Sequence, residues 1–210
     1  MDSFLIVAIG TLITIVNPIG AIAPFLSVAH DLNPAQKTSL AKKATIIACF
    51  ALFGCAAVGQ FLFQFYGITL PAVKISGGIL VLLVSIDMLH AKPSRTKHTA
   101  EEEIEAGNRE VAGIFPLSIP LLAGPGSILS TFLLMEQAVS LEKKTAVFGA
   151  IALVMFIAYL VLVQAERISK LLGQTGVNIM SRLMGLVLAS VATQFIIDGL
   201  GEAFPALVGK

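Results

Sequence analysis

A chain of 210 residues that is 56% apolar and 13% charged is far poorer in charge than a soluble domain, where about a quarter of residues are charged. Its net charge of +1 gives no basis for nucleic-acid binding or for polybasic attachment to a membrane surface. The charges are clustered and leave long uncharged runs, so the chain reads as a polytopic membrane protein and not as a soluble domain with an anchor.

A helix needs about 20 residues to cross the hydrocarbon core. The first predicted span is the uncharged run from Phe4 to Ala29. It lacks a basic start and a convincing cleavage site, so it is read as a retained span and not a signal peptide. The tetrad Asn17-Pro18-Ile19-Gly20 interrupts it. Proline and glycine break the backbone ladder of a membrane helix, and the freed groups are tolerated only where they face protein or a polar cavity. Span two is read from Ala44 to Tyr66, followed by a turn at Gly67 and Pro71. It holds both cysteines, Cys49 and Cys55. Their spacing puts them on different helix faces, so neither a local disulfide nor a metal site is expected.

Span three is read from Ala72 to Leu89, with Lys74 and Asp87 near its ends. A polar segment at 91–110 follows and carries the densest acidic cluster, Glu101-Glu102-Glu103 and Glu105 among them. It is read as a solvated cytoplasmic loop. Span four falls between Glu110 and Glu136 and is interrupted by Gly124-Pro125-Gly126-Ser127. Span five is read from Thr145 to Ala165. Span six is read from Val177 to Leu200, with Arg182 near its start and Asp198 near its end. The fold class expected is all-α, one membrane domain over 1–210 with six transmembrane helices, the first and fourth broken. Most Lys and Arg residues fall on the side of Lys37, Lys92 and Arg167. By the positive-inside rule that side is cytoplasmic and both termini are outside.

The two breaks align. Placing Pro18 on Pro125 also places Phe25 on Phe132 and Lys37 on Lys144; shifting by two residues places Ser76 on Ser181 and Ser85 on Ser190. Residues 1–90 and 111–210 then form two three-helix repeats. Three is odd, so the second repeat enters from the opposite face, giving an inverted repeat of the kind common among secondary transporters.

A helix N-terminus presents unpaired amides and a partial positive charge, suited to an anion, and a helix C-terminus presents carbonyls, suited to a cation. A zwitterionic amino acid has one group for each. The site expected comprises Asn17, Pro18, Ile19, Gly20, Gly124, Pro125, Gly126, Ser127 and Ser130. Amides after the breaks would bind carboxylate; carbonyls with Asn17, Ser127 or Ser130 would bind ammonium. Glycines let backbone approach a ligand closely and favour a small one. Ser85, Asp87, Arg182, Ser190 and Gln194 are candidates for lining a cavity or for coupling, weighed against interfacial anchoring for the charged ones. No carboxylate falls near the centre of a span, so a midplane proton relay is not expected; coupling to sodium or protons stays open. No cofactor is expected. His30, His90 and His98 are read as interfacial polarity, since a metal site needs three or four convergent ligands.

Several segments resemble the MarC family of bacterial membrane proteins. They are Asn17-Pro18-Ile19-Gly20 with Pro24-Phe25, Lys74-Ile75-Ser76-Gly77-Gly78, Pro116-Leu117-Ser118-Ile119-Pro120 leading into Ala123-Gly124-Pro125-Gly126, and Ser181-Arg182-Leu183-Met184-Gly185 leading to Ala192-Thr193-Gln194-Phe195. The resemblance covers nearly the whole chain. It implies an inner-membrane protein distantly related to LysE-type exporters, and transport of small neutral amino acids such as glycine and alanine, attributed to SnatA members. The reading is then a secondary transporter and not an enzyme, taking a small zwitterionic metabolite in a lipid bilayer, with homo-oligomerisation open. A passive channel and a non-transporting structural or regulatory membrane protein are the alternatives.

Overall fold

The computed structural model describes residues 2–90 and 122–205, and every regular element in them is helical. The segment at 91–110 and the first part of the fourth predicted span lie outside the described residues. In chain order the helices are α1 (Asp2–Val16), α2 (Ile22–Val28), α3 (Pro34–Tyr66), α4 (Leu70–Leu89), α5 (Pro125–Gln137), α6 (Leu141–Val163) and α7 (Ala165–Ala203). Four stretches among the described residues are long and apolar enough to cross a bilayer: Pro34–Gly59, Leu70–Leu89, Leu141–Val163 and Thr175–Ala203. The first predicted span is not one of them, because it is divided into α1 of 15 residues and α2 of 7. The described part of the fourth is the 13 residues of α5.

Two helices outrun their predicted spans. Span two begins in the apolar run at Ala44, whereas α3 begins at Pro34. Asn33 Oδ1 accepts from the Gln36 amide at 2.9 Å, and Gln36 Oε1 accepts from the Asn33 amide at 3.0 Å. This reciprocal cap starts the helix in polar sequence. Hydropathy marks where a helix meets lipid, not where it begins. At its far end α3 stops at Gly67, whose φ of 65° is the left-handed conformation glycine adopts at low cost. Likewise α7 begins at Ala165 and bends at Gly173 (φ 66°, ψ 167°) before its membrane-crossing part.

Side-chain pairs define the two ends of the bundle. Lys37 at the start of α3 bonds Glu166 at the start of α7, and Lys74 near the start of α4 bonds Glu202 near the end of α7. The Lys143 ammonium at the start of α6 lies 5.4 Å from the Phe4 ring near the start of α1. Since α3 and α4 are joined by the short turn at 67–69, the chain alternates between a Lys37 end and a Lys74 end. The Lys37 hydrogen bond and charge hold the Glu166 carboxyl below the ordinary glutamate value. A lowered folded-state value means that the pair's contribution is present above the unfolded glutamate pKa of about 4.3 and disappears as pH falls through the folded value.

The main core joins α1, α2, α3, α5 and α6 through Leu12, Phe25, Leu40, Leu52, Leu134, Ile151 and Leu162, all buried. A second, smaller cluster joins α4 to α7 through Val81, Leu188 and Ala192. There small residues carry the contact. A Cβ added to Gly78 would lie 2.8 Å from the Ala192 carbonyl oxygen, and one added to Gly199 would lie 2.9 Å from the Pro71 carbonyl oxygen. One added to Gly185 would lie 3.2 Å from both the Leu89 nitrogen and the Ser85 carbonyl oxygen. Gly78 beside Ala192, Ser85 beside Gly185 and Pro71 beside Gly199 make the two helices antiparallel. Without a hydrophobic drive between helices in lipid, such backbone approach is what holds them together.

Two outcomes follow for thermal unfolding of the detergent-solubilised protein. Gly78→Ala should lower stability by about 1–3 kcal/mol through overpacking, whereas Gly54→Ala, with nothing within 4 Å of the added methyl, should gain up to about 1 kcal/mol from helix propensity; equal shifts would remove the close-packing account of α4 and α7. Glu166→Gln should blunt the loss of stability on acidification, and an unchanged acid profile would show that the Lys37 pair carries none of it.

Candidate functional site

Both interruptions lie inside the bundle and touch one another through α4. The first is a turn. Asn17 has a φ of 48°, the only left-handed non-glycine residue among those described. Asparagine tolerates that conformation because its short polar side chain bonds locally. Here Asn17 Oδ1 accepts from the Gly20 amide at 3.0 Å. The Ala21 amide donates to the Asn17 carbonyl at 3.2 Å and the Ile22 amide to the Ile19 carbonyl at 3.1 Å. Three amides after the break are therefore occupied within the turn. Amides expected to bind a carboxylate at the first break are thus taken by the turn itself.

On the other side of the turn, the last carbonyls of α1 lose their ladder donors among the described residues. Pro18 has no amide to offer Thr14, and the Gly20 amide that would reach Val16 bonds Asn17 Oδ1 instead. Asn17 is buried, and its Nδ2 has no hydrogen-bond partner among the described residues. The orientation of that side-chain amide follows from chemistry. The Gly20 N–H needs an acceptor, so oxygen faces Gly20 and nitrogen is the free atom. A free nitrogen donates. Asn17 is thus suited to an anionic group, whereas the sequence reading placed it with the ammonium.

The second interruption is a helix start. Gly124 caps α5 in extended conformation (φ -73°, ψ 178°) with no side-chain cap, and Pro125 occupies the first turn. The first backbone bond across it is Ile128 to the Gly124 carbonyl at 3.0 Å. Gly126 and Ser127 amides precede that bond and carry the positive end of the helix. Ser127 Oγ donates to the Leu122 carbonyl at 2.9 Å, and Thr131 Oγ1 donates to the Ser127 carbonyl at 2.8 Å. Ser130, fully buried one turn along α5, has no partner for Oγ among the described residues. A buried hydroxyl or amide left unpaired costs about 1–3 kcal/mol, so two such atoms at the two breaks stand out.

One face of α4 runs past both breaks. Gly77 faces Leu129, and a Cβ on Gly126 would lie 2.8 Å from Val81 Cγ2 and 2.9 Å from Ile15 Cγ2. A Cβ on Gly20 would lie 2.8 Å from Met88 Cε and would also collide with Asn17. Ser85, fully buried between Val81 and Met88 on this face, donates to the Leu82 carbonyl at 2.7 Å. Gly77, Val81, Ser85 and Met88 recur at the spacing of one helix face. That periodicity could have picked out Val81 and Met88 as neighbours of the site; sequence reading singled out Ser85 alone of the four. Nothing local pointed to Ile15. The breaks are closely packed, with the space in front of Gly126 filled by Val81 and Ile15.

Other candidates lie elsewhere. Ser190, Gln194 and Arg182 are on the exposed side of α7, because its buried side is Val177, Gly185, Leu188, Ala192 and Gly199. Ser190 Oγ donates to the Leu186 carbonyl at 3.1 Å, and Gln194 Nε2 donates to Asp198 Oδ1 at 2.7 Å. Asp87 is half-buried near the end of α4, away from Gly126. His30 Nδ1 lies 3.0 Å from Asp31 Oδ1, and His90 Nδ1 lies 2.8 Å from the Ile86 carbonyl oxygen. His98 lies outside the described residues.

Comparison with known proteins places this arrangement in a wider group. The family described as "MarC family integral membrane protein" matches residues 2–204. A UPF0056 membrane protein of Methanocaldococcus jannaschii is 37% identical over 200 residues, covering 95% of this chain and 97% of the relative. The UPF0056 membrane protein YvbG of Bacillus subtilis is 33% identical over 208 residues, 99% of each chain. The UPF0056 membrane protein YhcE of Escherichia coli is 32% identical over 197 residues, 94% of this chain and 92% of the relative. No solved structure matches.

Asn17 separates backbone from side-chain effects. Asn17→Ala should cost about 1–3 kcal/mol for the lost bond to Gly20 and about 1–2 kcal/mol more for the left-handed backbone. Asn17→Gly should recover the second part only. Denaturation midpoints that do not differ between the two variants would show that the left-handed turn imposes no constraint.

Proposed function

The chain belongs to the MarC family of integral membrane proteins, and on that footing we propose that it is a secondary transporter of small neutral amino acids such as glycine and alanine. The observation that carries the proposal is the meeting of two broken elements with opposite polarity. The carbonyl end of α1 and the amide end of α5 both abut Gly126, through Ile15 on one side and the start of α5 on the other. Beside them lie the unpartnered Asn17 Nδ2 and Ser130 Oγ. The Gly126 and Ser127 amides with Asn17 Nδ2 hold the carboxylate; the carbonyls of Thr14, Ile15 and Val16, helped by the Ser130 and Ser85 hydroxyl oxygens, hold the ammonium. Gly20 and Gly126, each crowded by neighbours, favour a ligand with little or no side chain.

Alternating access comes from rocking one three-helix half against the other about this site. Support for two inverted halves is the alignment of Pro18 with Pro125 and the antiparallel pairing of α4 with α7. Lysine and arginine distribution favours both termini outside and the 91–110 segment in the cytoplasm of a bacterial inner membrane. Sodium or protons would couple transport without a midplane carboxylate, through backbone carbonyls and hydroxyls. A second reading, a non-transporting membrane protein, is favoured by the close packing of Val81 and Ile15 over Gly126. A passive channel has less support, since among the described residues Val81 and Ile15 close over Gly126.

Counterflow of labelled glycine or alanine in proteoliposomes separates these readings. A carrier gives saturable, trans-stimulated exchange, and Gly126→Leu and Asn17→Ala should each reduce it by about tenfold or more, the loss expected for a charge-assisted hydrogen bond or a blocked site. Absence of exchange in the wild-type protein favours the non-transporting reading; exchange that survives both substitutions removes the site from between the breaks.

A further inference from the structure

The two ends of the bundle differ in how open they are. Toward the Lys37 end, a cavity of about 250 Å³ lies between α2 and α7, lined by Ala23, Leu26, Ser27, His30, Ser169 and Val177. Its lining residue nearest in sequence to the first break is Ala23 in the first turn of α2, three positions beyond Gly20. It runs from polar side chains at the exposed Ser27 and His30 to the buried Val177. Toward the Lys74 end, the space among α3, α4 and α5 is about 10 Å³, lined by Ala56, Phe63, Leu70, Phe132, Met135 and Glu136, about the room for one water. The closure there is aromatic. Phe132 meets Phe63 edge-on, with ring centroids 4.7 Å apart and planes at 74°. The Phe132 ring also fills the notch left by Gly59, where an added Cβ would collide with it.

We propose that the α2–α7 cavity is the vestibule through which a small zwitterionic solute reaches the breaks from the Lys37 end, while Phe132 seated against Gly59 and Phe63 bars the Lys74 end. The solute class rests on the function proposed above; the path and the bar rest on cavity size and ring packing alone. A cavity of this size with hydroxyl and imidazole groups at its mouth admits a polar solute of few atoms and its water. On the opposite side, the space beside Phe132 has room for about one water. Phe132 sits two turns beyond Pro125 on α5, so a tilt of α5 moves the bar and the amide end of the site together.

Thiol accessibility tests this without any transport substrate. In a protein with Cys49 and Cys55 replaced by alanine, Ser130→Cys reports on the breaks. A membrane-impermeant maleimide is applied to either face of oriented vesicles. Labelling is expected from the Lys37 face and not from the Lys74 face. Filling the vestibule with Ala23→Trp should slow labelling from the Lys37 face by about tenfold, as access follows the open fraction. Ser169→Trp, which fills it from the opposite wall, should do the same, so a packing fault on one helix is not mistaken for a plug. Phe132→Ala should admit reagent from the Lys74 face. Labelling from the Lys37 face that neither tryptophan slows, or labelling of the Phe132-intact protein from the Lys74 face, overturns the proposal. This labelling pattern combined with no amino-acid exchange would retain the vestibule and reject the transported substrate.

Discussion

Inside an apolar bundle, every amide and carbonyl released from a helix must find another partner, and that requirement organises this protein. Pro18 and Pro125 each remove a backbone donor, and the chain answers in two ways. At the first break, the Asn17 side chain replaces the missing ladder by accepting from Gly20. At the second, Ser127 and Thr131 donate to nearby carbonyls. Among the described residues, what is left over is small and specific: one side-chain nitrogen, one hydroxyl, and the open ends of two half-helices. In water these groups would be unremarkable; in a low-dielectric interior an unpaired polar group is costly enough to be structured around.

The glycines act as the second organising device, by permitting contact more than by adding flexibility. Gly78, Gly185 and Gly199 let α4 and α7 touch backbone to backbone. Gly126 lets the start of α5 lie under Val81 and Ile15, and Gly59 accepts the Phe132 ring. Each contact fixes one helix against another where close van der Waals packing supplies much of the attraction. The same helix α4 therefore anchors α7 and supports both breaks, with Val81 and Met88 each meeting α7 and one of the breaks.

Ion pairs play a different part. Lys37 with Glu166 and Lys74 with Glu202 sit at opposite ends of the bundle, where water screens them and the energy is small. Their value lies in position: they tie α7 to α3 at one end and to α4 at the other. Lys74 and Glu202 also show why charges attached to predicted spans do not by themselves indicate a site. A long lysine at a helix end reaches the interface and pairs there.

Much of this was legible in the sequence, because its physics is local. Clustered charge marked a polytopic membrane protein, the Asn17-Pro18 and Gly124-Pro125 motifs marked the breaks, and the motif set marked the family. Proline lacks its amide wherever it stands, so a break can be read without knowing its surroundings. Helix limits were less legible: the Asn33–Gln36 cap carried α3 well before the apolar run, since capping obeys hydrogen bonding and not hydropathy. What only the tertiary structure decided is which groups at the breaks stay free. Asn17 presents a donor because Gly20 takes its oxygen, Ser190 and Gln194 fall outside because α7 turns its glycine face to α4, and Val81 and Ile15 cover Gly126 because α1, α4 and α5 converge there. The last two outcomes depend on contacts between residues distant in the chain, and the first on a left-handed turn at Asn17, none of which periodicity and composition encode.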